Sequence, residues 1–195
     1  PPRSTLFPFT TLFRSRDIFS IVCMVLFVSM TANAQLSQNP DKFLGNTTTS
    51  FQVDVQGVEQ YYKMWNQITC ENESMWGTVE YTKGTYIWSN CNKAYNYAVQ
   101  HNFPFTFHEL VCGSQYPNWF SNLSATERYQ SIVKWMDAVK KQYPNLDMIT
   151  VVNEAVGMHQ QGNSLMKESL GGEGETGYDW IINAFEMAYE RWPNA

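Results

Sequence analysis

Residues 124–154 read SATERYQSIVKWMDAVKKQYPNLDMITVVNE, a helix followed by a strand with chemistry at its end. Ser124-Ala125-Thr126-Glu127 is a capping-box start, in which the Ser oxygen and the Glu carboxylate satisfy N–H groups that a first helical turn leaves unpaired. Tyr129, Ile132, Val133, Met136 and Val139 then recur at the spacing of one helical face. The helix ends near Tyr143-Pro144-Asn145, because proline cannot continue it. Met148 to Val152 is short and apolar, the pattern of a strand buried on both faces. Asn153 and Glu154 put an amide and a carboxylate at its C-terminal end.

Working outward, the same alternation continues. Upstream, FPFTFHELV from Phe103 to Val111 predicts a strand, with Phe103, Phe105, Phe107 and Glu109 alternating along it. Ser89 to His101 predicts a helix with Tyr95, Ala98 and Val99 on its apolar stripe. Trp65 to Thr69 predicts a strand preceded by a helical stretch from Val58 to Met64, and Phe43-Leu44-Gly45 a first strand that gives way to a loop at Asn46. Downstream, the glycine-rich loop LGGEGETG (Leu170 to Gly177) leads to a helix from Asp179 to Trp192, with Trp180, Ile181, Ala184, Phe185, Ala188 and Tyr189 on one face. Strands alternating with helices predict an α/β fold with a parallel sheet. Polar residues gather at the strand ends, where parallel α/β folds place their sites. No glycine-rich phosphate turn follows the first strand, so the expected architecture is a partial (β/α)8 TIM barrel of roughly four β/α units. A complete barrel takes roughly 250 residues, so the expectation is of a chain truncated at its C-terminus.

Composition narrows the function. The chain has 195 residues, 44% hydrophobic, 15% aromatic and 16% charged, with a formal net charge of −5. It is too apolar for a disordered chain and too acidic for a protein that neutralises phosphates, so no nucleic-acid partner is expected. Its 7 Trp, 11 Tyr and 12 Phe suit stacking on sugar faces as well as core packing. Cysteines and histidines are scattered singly, so neither a metal nor another cofactor is expected.

The N-terminus reads as two segments. PPRSTLFPFTTLFRS (1–15) resembles the translation of a DNA-sequencing adapter and is expected to be read-through, a real N-terminal arm being the alternative. RDIFSIVCMVLFVSMTANA (16–34) has a basic start, an apolar run and a small-x-small end at Ala32-Asn33-Ala34, the order of a secretory signal peptide. The apolar run is shorter than the about 20 residues of a membrane helix, and no membrane anchor is expected. The mature domain would comprise residues 35–195, exported to the periplasm or the extracellular space. It would be more acidic still, because Arg3, Arg14 and Arg16 leave with only Asp17. Cys70, Cys91 and Cys112 remain, an odd number that supports no disulfide framework.

Three strand-end clusters carry candidate chemistry. Val151 to Glu154 sets a carboxylate beside an amide at the mouth of a buried strand, where desolvation would raise its pKa toward neutrality and fit it to donate a proton. Such a Glu also simply caps a following helix in many proteins. Asn66 to Gly77 holds Thr69, Glu71, Asn72 and Trp76, and Phe107 to Trp119 holds His108, Gln115 and Trp119. Amides, a carboxylate and an imidazole beside an indole can bond ring hydroxyls while the indole supports an apolar sugar face. Singly, Trp76, Trp119 and His108 read more readily as core residues.

Together these segments resemble glycoside hydrolase family 10, the xylanase family of (β/α)8 barrels, from about Phe43 to Ala195. Asn66, Thr69, Glu71, Asn72 and Trp76 match its second-strand pattern; His108, Leu110, Val111, Ser114, Gln115, Pro117 and Trp119 match the third; Val151 to Glu154 match the fourth. The resemblance implies endo-hydrolysis of β-1,4-xylan by a retaining mechanism, with xylan or xylo-oligosaccharide as partner and Glu154 as general acid/base. It implies that Asn153 binds the 2-hydroxyl of the sugar being cleaved, that His108 and Gln115 line the same region, and that Glu71 and Asn72 serve the neighbouring glycone subsite. The retaining mechanism needs a nucleophilic carboxylate about 5–5.5 Å away. In the family it lies on the seventh strand, outside these residues, so residues 35–195 alone are expected to be inactive. Two departures stand out: Met75 replaces a sugar-binding lysine and Cys112 replaces a tryptophan. Cys70 stands where proline is common, and Cys70 and Cys112 at adjacent strand ends make a disulfide conceivable. The alternatives are another barrel glycosidase (a cellulase or mannanase) and a degenerate, non-catalytic carbohydrate-binding homologue.

Overall fold

The computed structural model describes residues 41–48, 61–156 and 163–195. The adapter-like segment, the signal peptide and the expected domain start at Gln35 lie outside the described residues, as does the beginning of the helical stretch expected from Val58. Four parallel strands, β1 (Gly45–Thr48), β2 (Gln67–Cys70), β3 (Phe105–Cys112) and β4 (Met148–Asn153), form one sheet in chain order. Between and after them come helices α1 (Tyr61–Met64), α2 (Trp76–Val79), α3 (Ser89–His101), α4 (Ala125–Gln142), α5 (Ser164–Ser169) and α6 (Asp179–Arg191), with a 3-10 turn at Asn118–Asn122. This is the expected partial (β/α)8 barrel. Among the described residues no helix is long and apolar enough to cross a membrane.

The first strand begins two residues later than the apolar Phe43-Leu44 suggested. Pairing of Gly45 with Gln67 through Thr48 with Cys70 puts the threonine run in the ladder, where β-branched side chains fit a pleated surface. Phe43 and Leu44 are exposed, and Leu44 N–H donates to Asn66 Oδ1 at 2.7 Å. The fourth strand also differs from expectation. As the edge of this sheet it is mostly half-buried, with only Val151 fully inside.

Helices cover one face of the sheet. Ile68, Phe105, Phe107 and Val151 are buried there, and Trp135 of α4 lies at the centre of the core. Trp135 lies nearly parallel to Trp76 (centroids 5.8 Å apart, planes 9° apart) and to Trp88 (5.7 Å, 9°), and Tyr86 adjoins both Trp88 (5.9 Å, 13°) and Trp135 (6.4 Å, 21°). The Trp135 indole N–H donates to Leu110 O at 3.0 Å, so the ring buries no unpaired donor. The capping box of α4 forms as read: Ser124 Oγ accepts from Glu127 N–H, and Glu127 Oε2 accepts from Ser124 N–H at 2.9 Å.

The inward stripes are rotated from those read in the sequence. On α3 they are Cys91, Ala94 and Ala98, small residues that let the helix lie close to the sheet, while Val99 is exposed. On α4, Trp135 and Arg128 turn inward with Ile132, Met136 and Val139, and Tyr129 turns out. On α6, Met187 joins Trp180, Ala184 and Ala188, whereas Phe185 and Tyr189, one residue further round, face solvent.

The opposite face of the sheet is polar. Gln67 Nε2 donates to Thr69 Oγ1 at 2.9 Å and to Thr106 Oγ1 at 2.8 Å, and His108 Nδ1 lies 3.2 Å from Thr150 Oγ1. Register Thr69–Thr106 and His108–Thr150 carries this row toward the strand ends.

Candidate active site

Because all four strands run the same way, their C-terminal ends open on one side. There a pocket of about 400 Å³ is lined by Thr47, Thr69, Cys70, Glu71, Asn72, Met75, His108, Ser114, Gln115, Asn153 and Glu154. All six site residues named from the sequence (Glu71, Asn72, His108, Gln115, Asn153 and Glu154) are in that lining. They come from three strand ends and the loops that follow them.

Glu71 and Asn72 follow β2 directly and are exposed. The chain then turns inward: Ser74 Oγ donates to His108 O, tying this loop to β3. Met75 is buried against the pocket wall. Trp76 is a core residue, its N–H donating to Glu80 Oε2 at 2.6 Å. Trp119 donates to Glu80 O at 3.1 Å and borders a different pocket with Tyr86 and Lys83. Neither indole lines the site pocket, so the stacking role weighed for them is not realised there. Gln115 is placed by backbone packing, since Gly77 N–H donates to its carbonyl at 2.8 Å. An added Cβ on Gly77 would sit 3.0 Å from Gln115 O and 3.1 Å from Tyr116 O, which explains glycine at this close approach.

His108 is half-buried, and its peptide bond to Glu109 is cis. Burial lowers the pKa of the imidazole, and the nearby Glu154 carboxylate partly offsets this. Its Nε2 lies 3.2 Å from Glu109 Oε2. Glu109 is 1% exposed, and neither of its oxygens receives a well-aligned hydrogen bond. Burial pushes its pKa from 4.5 up to about 7 against the downward pull of the Cys112 thiol; the charge of Glu154 adds a smaller upward push and Asn153 a smaller downward one. With the imidazole favoured as neutral and the carboxyl partly protonated, this contact is not an ion pair of two full charges near pH 7.

Desolvation therefore falls on a different carboxylate from the one expected. Glu154 is exposed at the pocket rim, just past the end of β4, whereas Glu109 lies inside β3. Glu154 has φ of +52°, a left-handed conformation that a side chain of this kind rarely adopts. Such strain costs about 1–3 kcal/mol and persists only where the surroundings hold it. Here Asn163, fully buried, donates from Nδ2 to Glu154 O at 3.1 Å. Neither Glu109 nor Asn163 was singled out as functional in the sequence; Glu109 was visible only as an alternating strand position, and a carboxylate among Phe105, Phe107 and Leu110 was the available signal.

The conceivable Cys70–Cys112 bridge is not formed. All three described cysteines are free and buried. Cys112 lies 3.4 Å from Ser114 Oγ and near Glu109, while the neighbour of Cys70 is Cys91 on α3. Among the described residues no group of three or more His, Cys, Asp or Glu is placed to hold a metal ion.

The lining can therefore give and take hydrogen bonds around several neutral hydroxyls, with a carboxylate at one rim. Comparison with known proteins agrees with that character. Endo-1,4-beta-xylanase B of Cellvibrio japonicus is 40% identical over 154 residues, covering 79% of this chain and 24% of that protein. The Thermobacillus composti GH10 xylanase superposes with a TM-score of 0.63 at 26% identity, over 80% of this chain and 45% of that one. The GH10 structure from Paenibacillus barcinonensis, at 23% identity, shares the fold with a TM-score of 0.67 over 78% of this chain and 49% of its own. The chain thus spans about a quarter of the first of these relatives and about half of the two solved structures. The glycosyl hydrolase family 10 profile matches residues 34–195, and the chain belongs to that family.

Proposed function

We propose that this chain contributes the acid/base side of an endo-hydrolase of β-1,4-xylan that retains anomeric configuration. The observation that carries the reading is the meeting of Glu71, Asn72, His108, Gln115, Asn153 and Glu154 on one pocket in a family 10 chain. In the first step Glu154 gives its proton to the glycosidic oxygen as the carbon–oxygen bond breaks, and the sugar joins a second carboxylate. In the next step the Glu154 carboxylate takes a proton from water, whose oxygen displaces that carboxylate from the anomeric carbon. The second carboxylate comes from a part of the barrel outside these residues, so residues 35–195 alone are inactive. Asn153 holds the 2-hydroxyl, His108 and Gln115 flank it, and Glu71 and Asn72 bind the neighbouring sugar.

The test is reducing-end release by the full-length protein on xylan, cellulose and mannan. Xylan is the expected substrate; preference for cellulose or mannan, or binding without turnover, refutes the assignment. Glu154→Gln is expected to lower turnover on xylan by about 10²–10⁴-fold, the usual contribution of general acid–base catalysis. The glycosylation step should fall less on an aryl xyloside, whose leaving group needs little protonation, and equal losses on both reject the role. Residues 16–34 act as the export leader in this reading. Its support is the start of the family match at residue 34, beside the small-x-small end. An N-terminus at Gln35 on the exported protein is the expected mass-spectrometric result.

A further inference from the structure

We propose that Asn163 is a positioning residue for Glu154: its buried amide clamps the backbone from which the acid/base side chain projects. The proposal rests on the acid/base reading of Glu154 and extends it to a residue that does not line the pocket. Asn163 lies nine residues beyond Glu154, is 0% exposed, and donates from Nδ2 to Glu154 O at 3.1 Å.

The surroundings of the amide single out that bond. Asn163 immediately precedes α5, yet its side chain makes no capping hydrogen bond to that helix. Its Oδ1 is buried with no hydrogen-bond partner among the described residues. Burying an amide with half its bonding capacity unused is unfavourable, and an apolar residue of the same shape would avoid that loss. What asparagine supplies here, and such a residue lacks, is the N–H donor to Glu154.

That donor meets a backbone that needs holding. Glu154, with φ of +52°, stands in the left-handed region, which residues other than glycine seldom occupy unless their surroundings restrain them. On its N-terminal side the chain is fixed by the sheet, where Asn153 is paired with Cys112 of β3. On its C-terminal side the Asn163 amide holds the Glu154 carbonyl. Two such restraints set the direction in which the side chain leaves the backbone. The clamp is itself anchored. Met166 of α5 is 0% exposed, and Arg128 of α4 donates from Nε to Ser169 Oγ at 3.0 Å and pairs with Glu168, fastening α5 against α4.

The test is kinetic and uses the full-length protein. Asn163→Leu fills a similar space while removing both the donor and the unpaired Oδ1, so Tm should not fall. On a xylo-oligosaccharide kcat/KM should nonetheless drop about 10–100-fold, the scale expected when a reacting group is misplaced by an ångström. On an activated aryl xyloside, whose leaving group needs little protonation, kcat/KM should stay within about 3-fold of wild type. Asn163→Ala should repeat that split between substrates at a lower Tm. In a Glu154→Gln background the Leu substitution should add no further loss, because a residue acting through the acid has nothing left to position. A structural role alone predicts the opposite pattern, a lower Tm and equal losses on both substrates, and that result overturns the proposal. So does the absence of loss on either substrate, or a full additional loss in the Glu154→Gln background. The two readings fail separately. If Glu154→Gln divides the substrates and Asn163→Leu does not, only the positioning role falls; if Glu154→Gln itself costs both substrates equally, the acid/base role falls and takes the positioning role with it.

Discussion

Replacing Glu109 by Gln removes an ionisable group from the interior while keeping its shape. The carboxyl has a folded-state pKa of about 7 against an ordinary 4.5. Below pH 4.5 it is protonated in both states and favours neither. Between 4.5 and 7 the unfolded chain releases the proton and the folded chain keeps it, so stability falls as pH rises and levels off above the folded pKa. A gap of that size corresponds to about 3 kcal/mol, at 1.36 kcal/mol per unit. Glu109→Gln should therefore match the wild type at pH 4.5 to within about 1 kcal/mol and be more stable by about 3 kcal/mol at pH 8. For a chain of this length that is a gain of about 6–12 °C in Tm, measurable by thermal unfolding followed by circular dichroism. The charged or titratable groups facing Glu109 are His108, Glu154 and Cys112. They are present in both proteins, so the quantity to plot is variant minus wild type. A difference that stays flat with pH, or shrinks above pH 7, refutes the reasoning; a His108→Gln background repeats the comparison without the imidazole in contact.

Other perturbations test the scaffold. Ser124→Ala removes the oxygen that caps α4 and should lower Tm by about 2–4 °C. Gly77→Ala pushes a methyl group against the Gln115 and Tyr116 carbonyls, and overpacking of this kind costs about 1–3 kcal/mol; in the full-length enzyme it should also raise KM for xylan by displacing Gln115. Trp135→Ala empties the centre of the core and should cost about 3–5 kcal/mol by urea unfolding, with Trp135→Phe, which keeps a ring but loses the bond to Leu110, falling between that variant and wild type.

The parallel alternation and the strand-end clusters were legible in the sequence because they depend on local pattern: a capping box, a proline stop, apolar runs ending in polar residues. The helix from Ser89 to His101 came out at its observed bounds. What escaped was set by neighbours distant in sequence. The inward stripes of α3 and α6 are chosen by contact with the sheet, and small alanines there outrank a valine or a phenylalanine that periodicity alone would bury. Helices as short as α2 and α5 carry too few residues to show a period. In the site, the six named residues are joined by one pocket, yet the environment of the carboxylates was misjudged. Burial depends on depth along the strand, and that distinguishes Glu109 from Glu154 only once the strands are paired.

The clustered rings of Trp76, Trp135, Trp88 and Tyr86 also make this core an optical instrument. Chromophores at such separations share their electronic excitations, and where their in-plane transition dipoles are skewed about the line joining them the bands split into components of opposite rotational sign. A circular-dichroism couplet from these rings would disappear when α4 lifts from the sheet, even while the helices themselves persist. The molecule thus carries an intrinsic signal for tertiary packing, readable without any label.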